Sequence, residues 1–130
     1  MAQELIEKIR LWLIKAENDV KTVQNLLDSS EVITDAICFH SQQAAEKYLK
    51  AYLVSKGIDP EKTHKIERLI ETCLKIDPSF IDLKDAVLLT EYAVEFRYPD
   101  DFYIPDEDEA RKAFHLAIAV KDFVMRKVIL

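Results

Sequence analysis

The stretch that decides the fold is Phe39-His40-Ser41-Gln42-Gln43-Ala44-Ala45-Glu46-Lys47-Tyr48-Leu49-Lys50-Ala51-Tyr52-Leu53. It lies in the most clearly helical part of the chain, yet it carries polar residues on more than one side. On a helical wheel, His40 shares a side with apolar neighbours such as Ile37 and Ala44. The arc predicted to face water carries Gln43, Glu46 and Lys50.

An imidazole on the apolar side of a helix needs an explanation. An unpaired buried polar group costs roughly 1–3 kcal/mol, so His40 must either be hydrogen-bonded within the core or face a cleft. Gln42 falls near Cys38, Ala45 and Leu49, which again suggests polar groups inside the bundle or at a dimer seam. Both interpretations of His40, structural and functional, stay open from the sequence.

Apolar spacing outward from this stretch predicts five helices, over about 3–28, 31–56, 64–76, 79–96 and 106–129. Asp28-Ser29-Ser30 offers N-caps for the second helix, and Gly57 stands where its C-terminal glycine is expected. Asp106 and Glu109 form a capping-box pattern at the start of the last helix. The chain is therefore predicted to be all-α, an up-and-down four-helix bundle with one additional short helix, folded as a single domain over residues 1–130.

Composition limits the function classes. The 130 residues carry 18 Lys and Arg against 24 Asp and Glu, a formal charge of −6, so RNA is disfavoured unless a basic site is local. Cys38 and Cys73 show no metal spacing and are expected to be free buried thiols. Without a signal-type or membrane-length apolar run, we expect a cytoplasmic protein.

Neither a metal nor another cofactor is predicted. Glu61 and His64 form one E-x-x-H half-motif of a di-iron bundle, but the sequence holds no second copy. The fourth and fifth helices carry more apolar surface than one bundle core absorbs, which predicts a homodimer.

Two charged residues are further candidates for a site. Asp19 lies at the border of the apolar stripe of the first helix, either as a solvated carboxylate or as one aimed at a buried cation. Arg97 shares an inward-looking arc if the fourth helix reaches it, and a buried guanidinium needs a carboxylate or a phosphate. Asp100 and Asp101 are close enough in the sequence to pair with the Arg97 guanidinium. Asp19 or a bound phosphate group could pair with it from elsewhere in the fold.

Four segments together resemble the HEPN domain, over about residues 10–125. They are Ala16-x-x-Asp19-Val20, the helix from His40 to Ala51, Thr63-His64-Lys65-Ile66 and Arg97-Tyr98-Pro99. The resemblance implies a four-helix bundle with a short extra helix, usually a homodimer, often encoded beside a minimal nucleotidyltransferase. The family was named for a proposed nucleotide-binding role. Many members are metal-independent endoribonuclease toxins whose Arg and His form an R-x₄₋₆-H motif.

The sequence departs from that catalytic motif. No histidine follows Arg97 within the window, and Tyr103 stands where it is expected. A phenol with an ordinary pKa near 10 is a poor acid or base at neutral pH.

Three functions follow from the resemblance. The first is a nucleotide- or phosphate-binding dimer that acts with a nucleotidyltransferase partner in a toxin–antitoxin-like system. In this function Arg97 contacts the phosphate. The pocket is lined or ordered by Asp19, His40 and Gln43, with Asp100 nearby. Tyr103 either closes the pocket or is modified by the partner. The second is a ribonuclease toxin using Arg97 and Tyr103. The third is a purely structural dimeric interaction module.

Overall fold

The computed structural model describes residues 2–94 and 103–130. It contains helices α1 (Gln3–Asp28), α2 (Thr34–Ser55) and α3 (Ile66–Ile76), a 3₁₀-helix, η1 (Pro78–Tyr92), and α4 (Glu107–Lys127). The described residues form no strand, so the predicted all-α helical bundle with a short extra helix is confirmed. Arg97, Asp100 and Asp101, together with most of the predicted loop over 97–105, lie outside the described residues.

The predicted start of α2 is wrong. The helix begins at Thr34 rather than near residue 31, and Ile33 precedes it in an extended conformation without a side-chain cap. Ser29 does not cap α2, because its hydroxyl accepts a hydrogen bond from the backbone N–H of Glu31 at 3.2 Å, within the connection. The serine thus stabilises a local turn three residues before the helix begins.

Two other predicted helix ends are confirmed. Gly57 has φ of +74°, and the backbone N–H groups of Gly57 and Ile58 donate to the carbonyls of Val54 and Leu53 at 2.9 and 3.0 Å. This is the double hydrogen bond of a Schellman motif, which needs a residue tolerant of positive φ. At α4, the Asp106 carboxylate accepts from the Glu109 backbone N–H at 2.8 Å, as an N-cap does.

The fourth helix is 3₁₀-helical, where an α-helix was expected. Asp77 caps it, accepting from the Ser79 backbone N–H at 2.9 Å. A 3₁₀-helix has three residues per turn, so side chains spaced by three form one ridge. The buried residues of η1 have that spacing: Phe80, Leu83, Ala86 and Leu89. The rest of its apolar surface, including Ile81 and Leu88, stays exposed.

Helix α2 is the centre of the bundle, because it packs against each of the other four helices and most extensively against α1 and α4. An aromatic group joins it to η1 and α4: the ring centroid of Phe80 lies 4.5 Å from that of Tyr52 and 4.8 Å from that of Phe123. No helix in the described part of the chain is long and apolar enough to cross a lipid bilayer.

Both cysteines are buried, as predicted. Burial raises the pKa of the Cys73 thiol to about 12, and burial together with the negative charge of Glu109 does the same for Cys38. Since the thiolate is the reactive form, neither cysteine is a nucleophile near neutral pH.

Candidate functional site

Asp19 of α1 receives two side chains from α2. Its Oδ1 lies 2.8 Å from His40 Nδ1, and its Oδ2 lies 2.6 Å from Lys47 Nζ. His40 and Lys47 share one face of α2 because seven residues make almost two helical turns. Asp19 is only 7 % exposed. Of the two situations predicted for Asp19, the structure therefore shows a buried carboxylate aimed at a cation, the ammonium group of Lys47.

This geometry selects one tautomer of the neutral imidazole. An ionised carboxylate only accepts hydrogen bonds, so His40 Nδ1 carries the ring hydrogen and donates a hydrogen bond to Asp19. Nε2 of His40 makes no hydrogen bond to any described residue, and the side chain is 25 % exposed. The neutral imidazole thus keeps a lone pair on Nε2, which suits a hydrogen-bond acceptor or a general base.

A second polar cluster occupies the arc of α2 that was predicted to face water. Glu46 and Lys50 are 4 % and 7 % exposed, so that prediction is wrong for both. The Glu46 carboxylate accepts from Lys50 Nζ at 2.9 Å, from His64 Nδ1 at 2.8 Å and from Gln42 Nε2 at 3.2 Å. Gln42 also donates to the backbone carbonyl of His64 at 2.9 Å.

The charge of Glu46 is stabilised despite its burial. Burial alone raises the pKa of a carboxyl group, but hydrogen bonds from Lys50 and His64 outweigh it and leave the pKa of Glu46 below its ordinary value. Lys50 also lies over the ring of Trp12 on α1, with Nζ 5.4 Å from the ring centroid. The cluster therefore fastens α1 and the α2–α3 connection to the central helix.

Gln43, a predicted pocket residue, is half-buried, and its Nε2 donates to Gln42 Oε1 at 2.6 Å. The E-x-x-H pair does not converge on one point, because Glu61 binds Arg68 while His64 binds Glu46. Across residues 2–94 and 103–130, no group of three His, Cys, Asp or Glu side chains is placed to hold a metal ion.

Tyr103 belongs to a third cluster, at the start of α4. Its hydroxyl and that of Tyr92 both donate to Glu109 Oε2. The hydrogen bond to Glu109 raises the pKa of Tyr103 to about 12. The charge of Glu109 also acts on Cys38, which lies nearly opposite His40 on the α2 wheel. Within the described chain, Tyr103 and His40 thus belong to separate clusters.

Sequence reasoning missed several residues of these clusters. Lys47 had a signal, because it lies seven residues after His40 and so shares its face. Glu46 and Lys50 had none, since a Glu–Lys pair four residues apart is typical of an exposed helix surface. Glu109 was found as a cap, but its carboxylate binds two tyrosines whose approach depends on how η1 meets α4.

The comparisons with known proteins agree with this architecture. The family model described as the HEPN domain matches residues 9–128. Comparison with curated proteins and with solved structures finds no match. The family match spans nearly all of the chain, including the helix with His40 and the α1 segment with Asp19. The chain therefore belongs to the HEPN domain family.

Proposed function

We propose that this HEPN protein is a cytoplasmic homodimer that binds a nucleotide or a similar phosphate ligand. It acts with a nucleotidyltransferase partner in a toxin–antitoxin-like system. The observation that carries the ligand proposal is the convergence of His40 and Lys47 on the buried carboxylate of Asp19. The Lys47 ammonium has three N–H donors and uses one in its hydrogen bond to Asp19, which leaves two for an anionic oxygen.

The contact between Lys47 and Asp19 lowers the entropy that Lys47 loses when a ligand binds. A lysine side chain loses rotamer entropy when it binds a ligand, and the 2.6 Å contact with Asp19 has already restricted Lys47. In this proposal Arg97 supplies a second cation to the phosphate, and Gln43 and Asp100 order the rim. Tyr103, bonded to Glu109 in a separate cluster, is the residue that the partner modifies.

The homodimer is supported by exposed apolar side chains on the two helices that the sequence singled out. Ile81 and Leu88 of η1 are 53 % and 63 % exposed, and Met125 of α4 is 46 % exposed. Exposed aliphatic groups on adjoining helices favour burial against a second protein surface. Sedimentation equilibrium should give twice the chain mass, and Leu88→Glu should give a monomer.

Calorimetric titration with ATP tests the ligand proposal. The wild-type protein should bind, while Lys47→Ala and Arg97→Ala should each weaken binding by about tenfold or more, because each removes a charged contact to phosphate. Lys75→Ala, an exposed lysine on α3, is the matched control and should bind normally. Absence of binding, or binding equal in all four proteins, would refute the phosphate site.

The Asp19–His40 pair favours one second candidate, a metal-independent endoribonuclease. A carboxylate that orients an imidazole through Nδ1 leaves Nε2 as the acid or base. Purified protein in EDTA should then cleave RNA, and His40→Ala should stop cleavage. If His40→Ala alters only the melting temperature, and neither RNA cleavage nor ATP binding occurs, the chain is a structural interaction module instead.

A further inference from the structure

Helix α1 carries a groove on its outer side. A depression of about 290 Å³ is lined by Lys8, Leu11, Trp12 and Lys15, and these four residues define the α1 groove. Lys8 also borders a second depression of about 310 Å³, whose other lining residues lie near the start of α1 and at or just beyond the end of α2: Leu5, Val54, Gly57, Ile58 and Asp59. The two depressions therefore adjoin each other at Lys8.

The groove is positively charged in a protein of net charge −6. Neither Lys8 nor Lys15 forms an ion pair with any residue that the structure describes. Three lysines that pack between helices differ, because Lys47, Lys50 and Lys121 each lie within 3.0 Å of a carboxylate oxygen. Lys62 and Lys75, on the exposed surface, resemble the groove lysines in forming no ion pair with a described residue. The two ammonium groups of the groove are thus available to an anionic partner.

The surface between these lysines is apolar. Leu11 is 60 % exposed, and Ile14, three residues further along the same helix, is 56 % exposed. Trp12 is half-buried, and its ring is held from the inner side by Lys50, which is itself bonded to Glu46. An apolar centre with a charged rim is the usual anatomy of a protein–protein interface. Because Trp12 is already fixed, little ordering is needed when a partner binds.

We propose that the α1 groove docks an acidic amphipathic helix of a partner protein. Lys8 and Lys15 are seven residues apart, about 10.5 Å along α1, so carboxylates at positions i and i+7 of a helix lying alongside meet both. Aliphatic residues at i+3 or i+4 of that helix then contact Leu11 and Trp12.

Charge and shape together favour this occupant over a nucleic-acid strand. Leu11 and Ile14 offer no hydrogen bond to a phosphate or a base edge. Lys50 lies over the Trp12 ring, which leaves less of that ring for a base to stack on. The proposal does not depend on the phosphate site at Asp19, His40 and Lys47, because none of those three residues lines the groove.

Trp12 makes the test specific, since it is the only tryptophan in the chain. The probe is a synthetic helical peptide without aromatic residues, with Glu at i and i+7 and Leu at i+3 and i+4. Its titration should shift Trp12 fluorescence to a saturating value, while a peptide with Lys in place of the two Glu should not. In Lys8→Glu/Lys15→Glu, the acidic peptide should bind about tenfold or more weakly and the basic peptide should now bind.

The matched control is Lys62→Glu/Lys75→Glu, which changes net charge equally at exposed positions away from the groove. It should bind the acidic peptide like the wild type. Circular dichroism checks that both double variants are folded. The proposal is overturned if the acidic peptide does not bind, or binds both double variants equally.

Two other outcomes would also overturn it. In the first, the peptide has no effect, but single-stranded RNA changes Trp12 fluorescence and the change requires Lys8 and Lys15. The groove would then be a nucleic-acid site. In the second, the protein self-associates, and this self-association is lost in Lys8→Glu/Lys15→Glu but kept in Lys62→Glu/Lys75→Glu. The occupant of the groove would then be a second copy of the chain. Calorimetry with ATP on the same variants separates a failure of docking from a failure of the phosphate site.

Discussion

Lys50 Nζ lies 2.9 Å from Glu46 Oε2, and both side chains are almost completely buried. Pairs with this spacing usually lie on a solvated helix surface and contribute little to stability. Here Trp12 of α1 lies against Lys50, and His64 of the α2–α3 connection binds Glu46. The pair therefore holds together three segments that are distant in the sequence.

Removing one partner of this pair should be costly. Lys50→Met leaves the Glu46 charge buried without its ammonium partner, so the free energy of unfolding should fall by about 3–5 kcal/mol. The double variant Glu46→Gln/Lys50→Met removes both charges and should recover a large part of that loss. Urea denaturation followed by circular dichroism measures both. Equal losses in the single and double variants would show that the pair does not act as a unit.

Glu46 should also shape the dependence of stability on pH. Its pKa in the folded chain is lower than the ordinary value of 4.5, so the unfolded chain binds more protons at acidic pH. The stability that Glu46 contributes is thus fully present above that value and is lost as the pH falls through the folded pKa. We expect Glu46→Gln to show a shallower loss of stability on acidification than the wild type.

The pH comparison has an internal control. Hydrogen bonds from Ser79 and Lys127 lower the pKa of Asp77 to about 2, which makes Asp77 a second source of acid sensitivity. Asp77 is unchanged in Glu46→Gln, so the difference between the two curves excludes Asp77 and reports Glu46 together with its partners Lys50 and His64. Identical curves for wild type and Glu46→Gln would contradict the prediction.

The tautomer of His40 is directly measurable. Long-range ¹H–¹⁵N NMR spectra should show the His40 proton on Nδ1 at a pH where the ring is neutral, because Asp19 accepts from that atom. With three histidines in the chain, assignment is simple. Asp19→Asn should weaken this preference, and the exposed His115 is the reference. A His40 ring protonated on Nε2 in the wild type would refute the proposed geometry.

Tyr103 should ionise late. Its pKa is raised to about 12, chiefly by its hydrogen bond to Glu109, whereas a free phenol titrates near pH 10. The neutral phenol is favoured in the folded chain, so this contribution to stability is present below pH ~10 and is lost as the pH rises through the folded pKa. Ultraviolet titration of Glu109→Gln should move the Tyr103 transition toward lower pH, together with that of Tyr92, which Glu109 also binds. Tyr103→Phe should remove the Tyr103 transition alone.

The sequence predicted the helices more accurately than the polar interior. Gly57 and Asp106 were found because positive φ and a free helix N-terminus each favour particular residues locally. The start of α2 was misplaced because the Ser29 hydroxyl satisfies either a helix cap or a turn, and both are local. The 3₁₀ geometry of η1 was not predicted, because its apolar pattern suits more than one helix type.

For the candidate site, the helical wheel identified His40 as an unusual residue on an apolar face. It did not decide whether the Asp19 carboxylate is solvated or paired with a buried cation. It failed for Glu46 and Lys50, because a wheel gives the residues that share a face and not the segments that later cover it. Trp12 and His64 cover that face only once α1 and the α2–α3 connection have packed.

The sequence by itself determined an all-α chain with a HEPN-type central helix, since helical periodicity and helix-end signals are local properties. Only the tertiary structure decided that Glu46 and Lys50 of α2 are buried and that Asp19 binds both His40 and Lys47. The physical reason is that burying a charge is favourable only where partners from other segments arrive with matching hydrogen bonds, and their arrival depends on packing over the whole bundle.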